Sequence, residues 1–448
     1  MARDPFRQLA VIRNASGRGK IINDCYRLMY KEALWLKVFQ HITGREPDRE
    51  DRKDIARIID ELRNETFRFQ KICCYKQHLL LRQLVLEVIR LILAAVFEPV
   101  FIRSQRGNNF FRILQNVKEE FSQVTWCING KIKNWSPQDV RCRLKEIIAR
   151  KIDDRRFLLL IDGVLKSYHL DQRERMHTKK KGRFASLSAL FFNIYFHELD
   201  CQLQEIQKEE QPVVFTNSSS YRNVQEETFV YIRWKEQFLI GVFGRKKDAQ
   251  NIKAWLESWL IEKLHLLPKQ ISLQVTHLEK PVIFYDYTIR HCPVARKNGK
   301  RVIRLEIPLQ IIHEVARNNG YGVLDRFQAK ERGFLIHKSE QEIIATYNEE
   351  LLAFARYYHL ADNLHVLAPL YYLAKKSMLK TIAQKRRTTV KKVLAQFMEK
   401  RGNTLYFRPA HSHDSREWYP FIPLESLKKK KWLFYIDTYG RAGENKYR

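Results

Sequence analysis

The 448-residue chain carries 81 Lys and Arg against 50 Asp and Glu, a net charge of +31, with 45% hydrophobic and 12% aromatic residues. So apolar a composition excludes a mainly disordered chain, and the length allows two to four domains with buried cores. A basic surplus of this size calls for a polyanionic partner, because cations gathered on one folded surface repel each other unless phosphates neutralise them.

The seven cysteines (Cys25, Cys73, Cys74, Cys127, Cys142, Cys201, Cys292) include no C-x-x-C pair and are odd in number. That excludes a zinc finger or a disulfide framework and suits a reducing compartment. No apolar core follows Met1-Ala-Arg-Asp-Pro5, so no signal peptide is expected. The most apolar stretch, Leu79 to Phe97, is interrupted by Arg82, Gln83, Glu87 and Arg90 and reads as a buried helix, not a membrane span.

Residues 1–70 are helical in pattern, with Leu28, Leu34, Leu36 and Phe39 as core positions and a basic start at Arg7, Arg13, Arg18 and Lys20. Asp54 to Leu62 is amphipathic at helical spacing. A short strand is expected at Trp126 to Lys133, a basic loop at His177 to Arg183, and an apolar helix from Leu187 to Asp200. Phe229 to Phe243 contains two runs of aromatic and β-branched residues on either side of a three-residue polar break, Lys235-Glu236-Gln237, the pattern of a β-hairpin. Ala249, Ile252, Leu256 and Trp259 then recur at helical spacing. Ile271 to Tyr287 alternates apolar and polar residues as strands do.

In its order, with Tyr231, Arg233 and Trp234 before a polar turn, Phe238-Leu-Ile-Gly241 after it and a helix opening near Asp248, the hairpin resembles the catalytic hairpin of group II intron reverse transcriptases, or maturases. The apolar helix Leu187–Asp200 and the segment Asn348–Asn363 resemble that family's palm helix and the signature helix of its domain X. The resemblance implies an α+β fold, with right-hand polymerase-like fingers and palm followed by an all-helical thumb, domain X. Its boundaries are an N-terminal helical extension over 1–70, a degenerate fingers and palm over 71–290, domain X over 300–400 and a basic C-terminal extension over 401–448.

The family's chemical groups are replaced. Aromatic-Ala-Asp-Asp at the turn has become Trp234-Lys235-Glu236-Gln237, and the strand position of the first catalytic Asp holds Lys131. The Pro-Gln-Gly turn before the palm helix reads Gly182-Arg183-Phe184, and the nucleotide-gripping segment of the fingers is missing after Cys73-Cys74. Nucleotidyl transfer in such a palm needs two Mg²⁺ held by carboxylates, and a cation beside the site opposes them. No catalytic residue, metal or cofactor is therefore expected, and Lys131 and Glu236 are expected to form a buried ion pair in place of the metal. A polymerase with an altered site at Glu236 and Asp139 is the first alternative, and a scaffold reused in a ribonucleoprotein or defence complex the second.

A long helix beginning at Glu340 places Ile344, Tyr347, Leu351, Phe354 and Tyr358 on one face, and Leu367, Tyr371, Ala374, Met378 and Ile382 form another core face. Between Leu364 and Lys400 stand nine Lys or Arg and one acidic residue, Glu399. The expected RNA-binding residues are Lys375, Lys376, Lys380, Lys385, Arg386, Arg387, Lys391 and Lys392 with Tyr371 and Tyr372, and Lys179, Lys180, Lys181 and Arg183 in the basic loop. Replacing Lys380, Arg386 and Arg387 together by Ala is expected to weaken RNA binding with little change in melting temperature, because exposed cations contribute little to stability. Lys428 to Lys431 beside Trp432 is a weaker basic patch; His411, His413 and Asp414 fit surface polar residues better than a metal site. No cysteine follows Cys292, so the paired-cysteine endonuclease of some family members is not expected.

What the resemblance implies is an RNA splicing cofactor that binds structured group II intron RNA, with no membrane partner and a homodimer left open. Placement in a bacterial cytoplasm is expected, with a plastid or mitochondrion as the alternative.

Overall fold

The computed structural model describes residues 4–67, 79–101, 110–175, 184–208, 229–297, 300–401, 404–407 and 419–428. They form two compact units, one of residues 1–113 and 124–276, the other of residues 114–123 and 277–448. Helices and small sheets mix in both, so the fold is α+β.

In the first unit the helices are α1 (Pro5–Gly17), α2 (Glu32–Thr43), α3 (Arg49–Arg63), α4 (Leu79–Phe97) and the start of α5 (Phe110–Glu120). Asp48 caps α3 by accepting from the Glu50 and Asp51 N–H groups at 2.9 Å, and the Asp51 carboxylate accepts from the Asp48 N–H in return. Ile55, Ile58, Ile59 and Leu62 then line its buried side. Helix α4 is apolar on nearly every side because α1, α2 and a later helix all pack on it. Its one buried acid, Glu87, is held by Arg90 at 2.9 Å.

Next come strand β1 (Trp126–Ile132), helices α6 (Arg141–Ala149), α7 (Arg155–Arg175) and α8 (Phe184–Lys208), strands β2 (Phe229–Trp234) and β3 (Gln237–Val242), helix α9 (Lys246–Glu262) and strand β4 (Ile271–His277). The strands form one sheet in the order β2-β3-β1-β4, with β3 antiparallel to both neighbours. A single core runs from Ile22 to Leu266 beneath this sheet and around α4 and α8. One contact fixes the register at the hairpin end. Gly130 lies opposite Phe238, whose ring occupies the space a Cβ would take, 2.1 Å from its ideal position.

The second unit opens with strands β5 (Val282–Phe284), β6 (Tyr287–Lys297) and β7 (Lys300–Glu306) in one antiparallel sheet, so the chain beyond residue 300 begins in a strand before turning helical. Phe284 pairs with Tyr287, making Phe284–Tyr287 a two-residue hairpin turn with Tyr285 at φ 53°. The outer edge of β7 is closed by the segment at Asp362 and Asn363, which exchange hydrogen bonds of 2.7–3.1 Å with Leu305 and Ile307. Covering that edge removes a template for unwanted pairing.

Helix α10 (Leu309–Asn318), the short hairpin β8 (Gly322–Val323) and β9 (Gln328–Ala329), α11 (Glu340–Tyr357), α12 (Leu367–Lys385) and α13 (Val390–Phe397) follow, then strands β10 (Met398–Arg401), β11 (Thr404–Phe407) and β12 (Tyr419–Phe421) and helix α14 (Leu424–Leu427). Ser339 and Glu342 form a capping box that starts α11 at Glu340, the position the sequence gives. The anticipated face of α12 is buried throughout, from Leu367 to Ile382. Chain past residue 400 is part of this unit: Asn348 of α11 bonds the backbone of Pro420 and Ile422 at 2.9 Å, and Phe421 is buried.

Candidate nucleic-acid interface

The hairpin is tighter than its sequence suggests. Trp234 pairs with Gln237, so the connection is Lys235-Glu236 alone, with Lys235 at φ 48°, and Gln237 is the first residue of β3. Lys131 of β1 lies opposite Gln237 on its other side. Directly opposed residues share a sheet face, so Trp234, Gln237 and Lys131 form a row across the tip of the sheet.

The expected buried ion pair between Lys131 and Glu236 is not formed. Lys131 is exposed, and Glu236 meets β1 through its backbone, whose carbonyl accepts from the Ile132 N–H at 2.9 Å. The alternation of β1 is the reason: Gly130 and Ile132 face inward, so Lys131 must face out. Asp139, the other carboxylate considered, is also exposed. Among the described residues no three His, Cys, Asp or Glu side chains gather as a metal site would require.

A charged group that sequence reading passed over sits beneath this row. Tyr231 and Arg233 project from β2 toward α8, where Asp200 is fully buried and Arg233 is 1% exposed. Arg233 donates to both Asp200 oxygens, Nε at 2.8 Å and Nη2 at 2.5 Å, while Tyr231 Oη donates to Asp200 Oδ1 at 2.8 Å. Its Nη1 donates to Asn193 Oδ1 at 3.2 Å and to the carbonyl of Lys235 at 3.1 Å. Burial works against the guanidinium charge, but the Asp200 carboxylate outweighs it and raises the Arg233 pKa. Burial, and then the same carboxylate, push the Tyr231 hydroxyl well above its ordinary value. This network holds the turn by its backbone, through the Lys235 carbonyl. The signal was available, since an arginine in a strand otherwise made of Phe, Val, Tyr, Ile and Trp requires a buried carboxylate.

In the second unit the predicted basic residues separate into two sets. Lys380 Nζ donates to the Ala329 carbonyl and Lys385 Nζ to the Ile336 carbonyl, each at 2.9 Å. Arg386 grips Glu340 with two donors, Nη2 to Oε2 at 2.7 Å, and lies over the Phe407 ring. Lys380 and Lys385 tie α12 to the chain that precedes α11, and Arg386 ties its end to the first residue of α11, so the premise that Lys380 and Arg386 are freely exposed cations is corrected. Lys375 is half-buried. Lys376, Arg387, Lys391 and Lys392 are exposed. Arg387 stands just past α12 at φ 47°, where Thr388 N–H closes on the Ala383 carbonyl at 2.9 Å; that position usually takes glycine.

The tyrosines separate likewise. Tyr371 is 4% exposed and packs near Phe421, so it belongs to the core, whereas Tyr372 is 50% exposed. Helical geometry decides this, because consecutive residues point about 100° apart. Lys179, Lys180, Lys181 and Arg183 lie outside the described residues, as do His411, His413 and Asp414.

The first unit has a basic cluster that the sequence did not disclose. Arg141, Lys145 and Lys166 converge on Asp162 at 3.5, 3.1 and 2.9 Å. Burial opposes the Asp162 charge, but hydrogen bonds from Lys166 and Lys145 prevail and hold its pKa below the ordinary range.

A family model described as type II intron maturase matches residues 300–429. The group II intron-encoded protein LtrA of Lactococcus lactis subsp. cremoris is 28% identical over 387 residues, covering 72% of this chain and 64% of that protein. An uncharacterized 91 kDa protein in the cob intron of Schizosaccharomyces pombe is 22% identical, covering 74% of this chain and 49% of its own length. For the putative COX1/OXI3 intron 2 protein of Saccharomyces cerevisiae the values are 23%, 57% and 36%. The chain therefore carries a region at residues 300–429 that matches the type II intron maturase model, and it is similar over most of its length to a group II intron-encoded protein.

The chain spans less than two-thirds of the length of each of these relatives. The maturase match runs past residue 400 and so takes in β11, β12 and α14, in keeping with the packing of β12 and α14 on α11. The relatives come from a bacterium and from fungal introns. Among the described residues no helix is long and apolar enough to cross a membrane.

Proposed function

We propose that the chain is a splicing cofactor that binds group II intron RNA and stabilises its active fold, and that it synthesises no DNA. In this reading the first unit is a fingers and palm scaffold whose chemistry has been lost, and the maturase domain supplies most of the contact with RNA. The observation that carries it is the row at the sheet tip, Trp234, Gln237 and Lys131, where a two-metal site would need carboxylates. Glu236 is the turn's only acid, and the nearby Asp200 is committed to Arg233. What remains is charge. Exposed cations on and after α12, together with a net charge of +31, suit a protein that offsets phosphate repulsion while RNA segments come together. The bond-making chemistry then belongs to the RNA and its own Mg²⁺.

Two assays on the full chain test this. Primer extension on an RNA template, with Mg²⁺ and then Mn²⁺, should give no product; extension that Glu236→Ala abolishes would overturn the loss of catalysis. Splicing of the cognate intron RNA at low Mg²⁺ should depend on the protein. Splicing that proceeds equally without it would overturn the cofactor role.

A further inference from the structure

The β8–β9 hairpin presents an aromatic ring where a small residue would be cheaper. Phe327 closes its loop, its N–H donating to the Leu324 carbonyl at 2.9 Å, and holds φ 47° with the side chain 41% exposed. A bulky residue in left-handed backbone costs about 1–2 kcal/mol relative to glycine. Gly322, at the other end of the hairpin, has φ 130° and no room for a Cβ, since the Gln328 carbonyl oxygen lies 2.1 Å from that position. The hairpin thus has glycine where backbone crowding demands it and phenylalanine where it does not.

The ring is held against α12. Lys380 and Ser377 bond the carbonyls of Ala329 and Lys330, and Lys376 Nζ lies 5.7 Å from the Phe327 ring centre. One turn before Lys376 on the same helix face stands Tyr372, half exposed and braced edge-on by the buried Tyr371 with ring centres 5.3 Å apart. Two exposed rings on rigid supports therefore flank one lysine, on a helix that carries Lys375, Lys376 and Lys380 with no acidic residue. Duplex RNA offers phosphates and 2′-hydroxyls but hides the faces of its bases, whereas single-stranded segments expose faces that stack on aromatic rings.

We propose that Phe327 and Tyr372, with Lys376 between them, form a stacking platform for unpaired bases of an RNA single strand. The proposal rests on the RNA-binding reading above and adds which feature of the RNA this surface takes. Binding of the full chain to oligouridylate, whose bases are unstacked in solution, and to a blunt RNA duplex with the same number of phosphates tests it across a salt series. Phe327→Gly and Tyr372→Ala should each weaken oligouridylate binding by about tenfold, as expected when one base–ring stack is lost, with the salt slope kept. Duplex binding should stay within about twofold, a change worth less than one stacking contact. Lys376→Ala should instead flatten the single-strand slope by about 0.7. The melting temperature of Phe327→Gly should hold or rise, because strain is relieved, so weaker binding could not be laid to unfolding. Unchanged oligouridylate affinity in both aromatic variants, or equal losses on duplex, would overturn the platform while leaving RNA binding in place. Failure of the wild type to bind either RNA would overturn both.

Discussion

Each unit buries an arginine against a carboxylate, and the two pairs do different work. In the first unit Arg233 and Asp200 are both almost wholly inside, and the guanidinium also holds the carbonyl of the hairpin turn. In the second, Arg332 donates to both oxygens of Glu350 at 2.8 and 2.9 Å, lies over Tyr321, Tyr347 and Phe334, and leaves Glu350 partly open to water. The first unit uses charge to hold a hairpin turn from beneath. The second uses it to lock the loop at Arg332 against α11. A basic protein therefore cannot be read as uniformly available for RNA, because some of its cations are internal fittings.

The sharpest way to separate the two units is to remove the acids. Asp200→Ala leaves Arg233 buried without its carboxylate and should cost about 3–5 kcal/mol. Glu350→Ala strands a guanidinium closer to solvent and should cost about 1.5–3 kcal/mol. Denaturant unfolding followed by tryptophan fluorescence, to which the first unit contributes six of the chain's eight tryptophans (Trp35, Trp126, Trp135, Trp234, Trp255 and Trp259), should shift more for Asp200→Ala than for Glu350→Ala. Equal shifts would mean that the two units unfold as one. Within the sheet, Gly130→Ala drives a methyl group into the Phe238 ring and should cost about 1–3 kcal/mol. Phe238→Leu in the same chain should return much of that loss.

Cations on and after α12 give a smaller and more selective effect. Lys380→Ala and Arg386→Ala should each lower stability by about 1 kcal/mol, since each leaves a buried acceptor or an unpaired acid. Arg387→Ala, Lys391→Ala and Lys392→Ala should stay within about 0.5 kcal/mol of the parent. The last three together should nevertheless weaken RNA binding and flatten its salt slope, each by a little under 1. If instead Lys380 and Arg386 alone govern the slope, the separation into tethers and contacts is wrong.

Acid pH gives the mildest effect. Burial holds the imidazoles of His197 in the first unit, and of His291 and His359 in the second, below the ordinary range. Near pH 6 the unfolded chain then binds more protons than the folded one. The stability they lend is complete above about pH 6.5, the unfolded value, and is lost as pH falls through the lower folded values. Melting followed from pH 7.5 to about pH 5 should show stability falling in both units.

How much of this was legible beforehand follows from the range of the interactions involved. Local pattern was enough for α11, where Ser339 and Glu342 mark the start and apolar spacing marks the face, and for α12, whose buried residues recur every three or four positions. It was enough for the two β-runs of the hairpin, though not for the turn length, because whether Gln237 joins a strand depends on Lys131 and Trp234 across from it. Which lysines are exposed depends on where a helix lies against other chain, so Lys380 and Lys376, one turn apart, could not be told apart until the Ala329 carbonyl was in place.

The sequence by itself determined the family resemblance, the basic balance and the presence of Lys131 and Gln237 where the resemblance leads one to expect acids, since each is a matter of residue identity in order along the chain. Only the tertiary structure decided that Lys131 is exposed and unpaired with Glu236, that Asp200 and Arg233, 33 positions apart, share one buried site, and that Tyr371 is core while Tyr372 is surface. Those outcomes rest on burial, and burial is fixed by contacts between segments that no local pattern connects.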